Sequence, residues 1–328
     1  MNILFGGAGG VNYNTLLNDT WSWDGTNWTQ LFPEHSPSAR YGAVMAYNAT
    51  DDSVILFGGY DYNNVLGDTW KWNGQDWTQL FPTSSPSHRV QSSMAYDATG
   101  KVLILFGGMN FITTEIFGDT WQWNGTTWTQ LLSNSGPCRR LVASMASTNN
   151  TVYLIGGQTS RAQYLDDNWE WNYNNKQWIQ KKSMPMAVGA AIAGGYSNTD
   201  FIFASGMASN NTLSNLASDY SITDTWSPVG ALPSARSTAA TAVENTGNII
   251  VFGGQGNNCM LGDTVRYNVA SSSWSTLSPV TSPPARYCAM MSCGTTTTTA
   301  SKVPNCTMVK QNATAIPTNM QRNRCDMM

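Results

Sequence analysis

The sequence predicts an all-β chain closed into a six-bladed propeller, each blade a sheet of four antiparallel strands. Three observations carry this. A Trp-rich hairpin recurs as LNDTWSWDGTNWTQL (17–31), LGDTWKWNGQDWTQL (66–80) and FGDTWQWNGTTWTQL (117–131), with a looser copy at 165–181. The repeat length is near 50 residues: Phe57 to Phe106 and Phe106 to Ile155 both span 49, the size of one four-stranded blade. Finally, Ala285 to Ser292 (ARYCAMMS) matches Ala39 to Ala46 (ARYGAVMA), the opening of the second unit, yet no unit follows it.

The elements of a unit follow in order. A strand of small residues comes first, as in Gly42 to Ala46, Ser92 to Ala95, Ala143 to Ala146 and Thr238 to Val243. An apolar run ending in two glycines is next, as in Val54 to Gly59, Val102 to Gly108, Val152 to Gly157 and Ile249 to Gly254. The third strand carries two Trp spaced by two, Trp21/Trp23, Trp70/Trp72, Trp121/Trp123 and Trp169/Trp171, and that spacing puts both on one face. Asp24-Gly25, Asn73-Gly74 and Asn124-Gly125 then predict tight turns with positive φ. A further Trp (Trp28, Trp77, Trp128, Trp178) starts the outermost strand. Small side chains suit the crowded axis and Trp suits the splayed rim, so the 14 Trp read as packing between blades.

Unit one (Ile3 to Leu31) lacks its innermost strand. Units two to four span 36–80, 85–131 and 135–181. Unit five, about 184–229, is degenerate: Val188 replaces the expected Arg, Phe203-Ala204-Ser205-Gly206 replaces Phe-Gly-Gly, and Ser218 and Tyr220 replace the Trp pair. Unit six (233–277) restores Arg236, Phe252-Gly253-Gly254 and Gly262-Asp263-Thr264, with Val265 and Tyr267 in place of the Trp pair. The spare segment 285–292 is expected to complete the first blade, which removes free sheet edges. The propeller then covers residues 1–293. The Thr-rich, Cys-containing tail, 294–328, has a disordered or mucin-like composition and is expected to be tied by a disulfide or docked on a neighbouring subunit.

Charged residues are 11% of the chain and the net charge is −3, which argues against a nucleic-acid partner. No run of 18 apolar residues is present, so no membrane-spanning helix is expected. The chain opens directly on a strand with no visible signal peptide, which leaves an intracellular protein or a processed or incomplete form.

The succession of Arg, small strand, Phe-Gly-Gly, Asp-Thr-Trp and distal Trp resembles the kelch repeat superfamily across about 1–293. The Trp-Asn-Gly hairpin is similar to that of its secreted and surface members. The resemblance implies partner binding through loops at the ring faces, with enzymes in rare branches. A galactose-oxidase-like copper site would need two His and two Tyr in the family's ligand motifs, and these are not found around His35 and His88, the two histidines of the chain. The iron-binding branch is unmatched too, since Trp123 stands where a His would follow Glu115 and Asp119. No cofactor is expected.

Three sets of candidate residues remain. Arg40, Arg89, Arg140, Arg236 and Arg286 would ring one mouth of the channel, either as an anion or acidic-peptide site or as structural partners of Asp19, Asp68, Asp119, Asp167 and Asp263. Sequons at Asn27, Asn48, Asn124, Asn149, Asn210, Asn305 and Asn312 are glycan candidates on expected loops, while Asn18 is expected to be packed. Cys293, Cys306 and Cys325 are disulfide candidates; Cys288 and Cys293, five apart, cannot pair with each other. The preferred expectation is a non-enzymatic extracellular or cell-surface glycoprotein binding a protein or glycan, or self-assembling as a homo-oligomer or fibril through its tail. The alternatives are an intracellular, cytoplasmic adaptor and a carbohydrate-active oxidase.

Overall fold

The computed structural model describes residues 1–10, 14–132, 135–149, 151–160, 163–208 and 212–293. Its six main sheets follow one another as blades. Blade two runs from Val44–Asn48 at the axis through Ser53–Tyr60 and Val65–Trp72 to Trp77–Leu80 at the rim, antiparallel throughout. Blade three (Ser93–Asp97 to Trp128–Leu131), blade four (Ser144–Ser147 to Gln177–Lys181) and blade six (Ala240–Val243 to Ser273–Leu277) repeat that order. Blade five keeps it despite its degenerate sequence, from Ile192–Gly195 to Thr225–Val229.

Blade one is assembled from both regions of the chain. Asn2, Ile3, Leu4 and Phe5 pair with Cys293, Ser292, Met291 and Met290, and Arg286–Tyr287 pairs with Ala8 and Gly9. The innermost segment is thus two short strands, with buried Cys288 in the break between them. The break recurs in every blade. Gly42, Gln91, Val142, Ala190, Thr238 and Cys288 all have left-handed φ between 51° and 66°. Five hydrogen bonds of 2.9–3.2 Å link these residues from blade to blade, each N–H donating to the preceding blade's carbonyl. The axial edge of each sheet finds its backbone partners there, as buried amides require.

The two glycines of each apolar run fasten neighbouring blades. Gly58 and Gly59 have φ of 70° and 108° and form a bulge between Phe57 and Gly59. The Gly59 N–H donates to Arg89 O of the next blade at 3.0 Å, and a Cβ at Gly58 would lie 2.5 Å from the same oxygen. Only glycine supplies both the positive φ and the room. In blade five Ser205 takes the first place with φ 60°, and its hydroxyl donates to Arg236 O at 2.5 Å.

The outer Trp residues close the blade interfaces. Trp77, Trp128, Trp178 and Trp28 donate through Nε1 to Thr20, Thr69, Thr120 and Thr264 of the preceding blade at 2.9–3.1 Å. Their rings meet Phe5, Phe57, Phe106 and Phe252 at centroid distances of 5.3–5.8 Å. Blade five breaks this pattern on both sides. Trp226 turns its N–H to Lys182 O and leaves both amide atoms of buried Asn168 without partners. Trp274 of blade six has no acceptor, because Ala217 fills the Thr position.

The Trp-Asn-Gly hairpins turn at the Asp-Gly and Asn-Gly dipeptides, as expected, but with one positive φ each rather than two. Trp23 pairs with Trp28, so the loop holds four residues, Asp24 to Asn27. Only the glycines have positive φ: Gly25, Gly74 and Gly125 lie at 100–105°. Asp24 instead accepts from the Thr26 and Asn27 N–H groups through Oδ1, and Asn73 and Asn124 do likewise. The side-chain oxygen replaces a backbone acceptor.

Candidate functional site

The five arginines are buried, with side-chain exposure of 0–1%. Each guanidinium forks onto the Asp of its own blade's third strand: Arg40 on Asp68, Arg89 on Asp119, Arg140 on Asp167, Arg236 on Asp263 and Arg286 on Asp19. A further N–H reaches the carbonyl of the first glycine in the apolar run, at Gly58, Gly107, Gly156, Gly253 and Gly6. In blades one to four the same Asp accepts a Trp indole N–H at 2.6–2.7 Å. An anion site at the channel mouth is therefore corrected: the charges point away from solvent and their donors are engaged. Burial alone would raise the carboxyls of Asp19, Asp68 and Asp119, but the hydrogen bonds and charge of their arginines outweigh it and hold them below the usual range. Blade five loses both members together, with Val188 for Arg and Leu216 at the Asp position.

The sequons divide by placement. Asn124 is exposed at its hairpin turn. Asn27 is half-buried and accepts from Val280 N at 2.8 Å. Asn48 is 2% exposed and accepts from Thr50 N, so its side chain has no room for a glycan in the folded ring. Asn149 is half-buried, its Nδ2 donating to Asn198 Oδ1. Asn18, expected to be packed, is exposed. Asn210, Asn305, Asn312, Cys306 and Cys325 lie outside the described residues, as does the side chain of Cys293. Cys138 and Cys259 are exposed and form no disulfide among the described residues.

His35 bonds Asp76 at 2.7 Å, and His88 bonds Val65 O at 3.0 Å. The hydrogen bond to Asp76 is the main cause that raises the His35 pKa above its ordinary value. Among the described residues no group of three His, Cys, Asp or Glu is placed to hold a metal ion. No helix of the described residues is long and apolar enough to cross a membrane.

Sequence reasoning missed an aromatic cluster on the loop face beside the arginine column. Tyr60 stacks edge-on with Phe111 at 4.5 Å, with Tyr41 at 5.7 Å and with Tyr62 at 6.2 Å, and Tyr41 leads on to Tyr287 at 6.4 Å. Tyr62 is 45% exposed and Ile112 61%. The cluster is built from loops 60–65 and 109–116, the second carrying its own ribbon of Met109–Asn110 and Glu115–Ile116. Below it a groove of about 610 Å³ runs between blades two and three, lined by Val65, Leu66, His88, Asn110 and Ile112. The His88 ring lies over Gly67, where a Cβ would sit 2.3 Å from Cδ2. The only sequence signal was the pairing of aromatic residues with loops longer than a tight turn requires.

A family model described as the KLHDC2/KLHL20/DRC7 Kelch-repeats domain matches residues 126–298. The chain belongs to this kelch-repeat family. No curated protein matches the chain. Domains of this family are typically protein-interaction modules, and the six closed blades give this chain their propeller fold.

Proposed function

We propose that this kelch propeller binds a protein partner through the loop face of blades two and three. The half-exposed cluster of Tyr60, Tyr62, Phe111 and Ile112 carries this reading. Aromatic side chains offer large contact area at low entropic cost and dominate interface energetics. The adjoining groove gives an anchoring side chain a place to enter. Capture of partners from the natural source should be compared for the wild type, Tyr62→Ser/Ile112→Ser, and Phe32→Ser on the rim. A partner lost with the first variant and kept with the second supports the face. Equal capture by all three refutes it.

The compartment we propose is extracellular or cell-surface, with a glycan on Asn124. That residue is exposed, and the hydrogen bonds it makes use Oδ1, accepting from Thr126 Oγ1 at 2.9 Å as well as from the turn amides. Intact mass before and after deglycosylation tests this, and bare Asn124 and Asn27 in natural protein would refute it. A second reading, an intracellular adaptor, is favoured by the exposed thiols of Cys138 and Cys259, since reducing compartments keep such groups free.

A further inference from the structure

The aromatic cluster over blades two and three has an acidic border. Asp61 stands between Tyr60 and Tyr62 on one loop, and Glu115 pairs with Asn110 in the ribbon that carries Phe111 and Ile112. Asp61 accepts from the N–H groups of Asn63 and Asn64 through Oδ1 alone, which leaves Oδ2 for a ligand. Neither carboxylate has an ion-pair partner among the described residues. The acid that lines the groove itself, Asp68, is already neutralised by Arg40.

The cations of the chain do not cancel this charge. Loops 60–65 and 109–116 and the link 82–88 contain no Lys or Arg, and residues 10–14 of blade one contain no charged residue. Arg139 shares the next groove, between blades three and four, with Glu115. Setting Arg139 wholly against Glu115 still leaves Asp61. Residues 1–293 together carry 13 Lys and Arg against 19 Asp and Glu, so the wider field has the same sign. His88 bonds Val65 O through Nδ1. A carbonyl can only accept, so Nδ1 holds the proton and Nε2 of the neutral ring is an acceptor.

The backbone of loop 60–65 points to contact as well. Tyr62 has φ 76°, a left-handed conformation that is unfavourable for a bulky side chain. It is held there by Tyr60, whose hydroxyl donates to Tyr62 O at 2.7 Å, and it remains 45% exposed. An exposed aromatic ring beside an unpaired carboxylate suits a planar, weakly hydrated cation, which stacks on the one and forks onto the other.

We propose that the protein segment bound at this face carries an arginine beside a large apolar residue. The apolar side chain enters the groove over Val65 and Leu66. The guanidinium stacks on Tyr62 and bonds Asp61 Oδ2, and Glu115 steers its approach. This rests on the reading of blades two and three as the partner face and adds the chemistry of the partner.

The test is selection of a phage-displayed random peptide library on the full chain, followed by titration of the enriched peptides. They should hold an Arg within two residues of a large apolar residue. Asp61→Asn, which keeps the turn acceptor, should weaken them about 3–10-fold, and citrulline in place of the peptide Arg should do the same. Raising salt from about 0.05 to about 0.5 M should slow association about tenfold and change dissociation little. Peptides lost with Tyr62→Ser/Ile112→Ser but lacking Arg, or indifferent to Asp61→Asn, would overturn the arginine assignment and leave the face standing. Peptides indifferent to Tyr62→Ser/Ile112→Ser, or no enrichment at all, would overturn both. Enrichment of acidic peptides, or a dimer of the chain abolished by Tyr62→Ser/Ile112→Ser, would overturn the proposal in favour of an acidic partner or a second copy.

Discussion

Replacing Arg236 by Val and Asp263 by Leu together should cost far less stability than the sum of the two single replacements. The blade-five pair of Val188 and Leu216 already occupies these two positions with apolar side chains. In blade six the Arg236 side chain is 0% exposed and Asp263 29%. Arg236 gives Nε to Ser234 O, Nη1 to Gly253 O and Asp263, and Nη2 to Ser234 Oγ and Asp263. Asp263→Leu strips two charge-assisted bonds from a guanidinium that water cannot reach, which breaks a buried pair at about 3–5 kcal/mol. The lower end applies because the carboxylate is partly wet. Arg236→Val leaves an unpaired carboxylate that water still reaches, along with Gly253 O short of a donor, at about 2 kcal/mol. The double variant removes both charges and should lose only about 1–2 kcal/mol, giving a coupling of at least about 2 kcal/mol. Urea melts of the four proteins measure it. Single losses under about 1 kcal/mol with no coupling would refute the argument, since that is how a screened surface pair behaves.

Gly107→Ala should destabilise more than Gly125→Ala: both have positive φ, but a Cβ at Gly107 meets Arg140 O at 2.6 Å while at Gly125 it meets nothing within 4 Å. Thermal melts should separate them by about 1–3 kcal/mol. Trp128→Phe should cost about 1 kcal/mol more than Trp274→Phe, because Trp128 loses its bond to Thr69 and Trp274 has none to lose. The pH dependence has an unusual contributor in Asp219. Its pKa is pushed up to about 6 by burial, with help from the Asp200 charge and against the hydrogen bond donated by Tyr196. A raised folded pKa means stability that is complete below about pH 4 and lost as pH rises through about 6, by less than about 3 kcal/mol for a half-solvated group. Asp219→Asn should flatten urea midpoints across that window, and an unchanged slope would count against the assignment. At lower pH the sign reverses for Asp19, Asp68 and Asp119: their depressed pKa values mean stability lost as pH falls through them.

Much of the ring could be read from the chain alone because its determinants are local and repeat. Two Trp two residues apart, a glycine pair after an apolar run and a spare ARY segment each constrain the backbone nearby, and the 49-residue period stacks those constraints into blades. Even the loss of both Arg and Asp from unit five was visible as a broken column. What the chain could not reveal was direction. Whether Arg40 faces a ligand or Asp68 depends on which way a guanidinium turns once two strands 28 residues apart lie side by side, and the tertiary structure turns it inward. Burial of Asn48, exposure of Asn18 and the meeting of Tyr41, Tyr60, Phe111 and Tyr287 likewise follow from which blades become neighbours. Local pattern specifies strands and turns, whereas solvent exposure and side-chain encounters arise only when the ring closes.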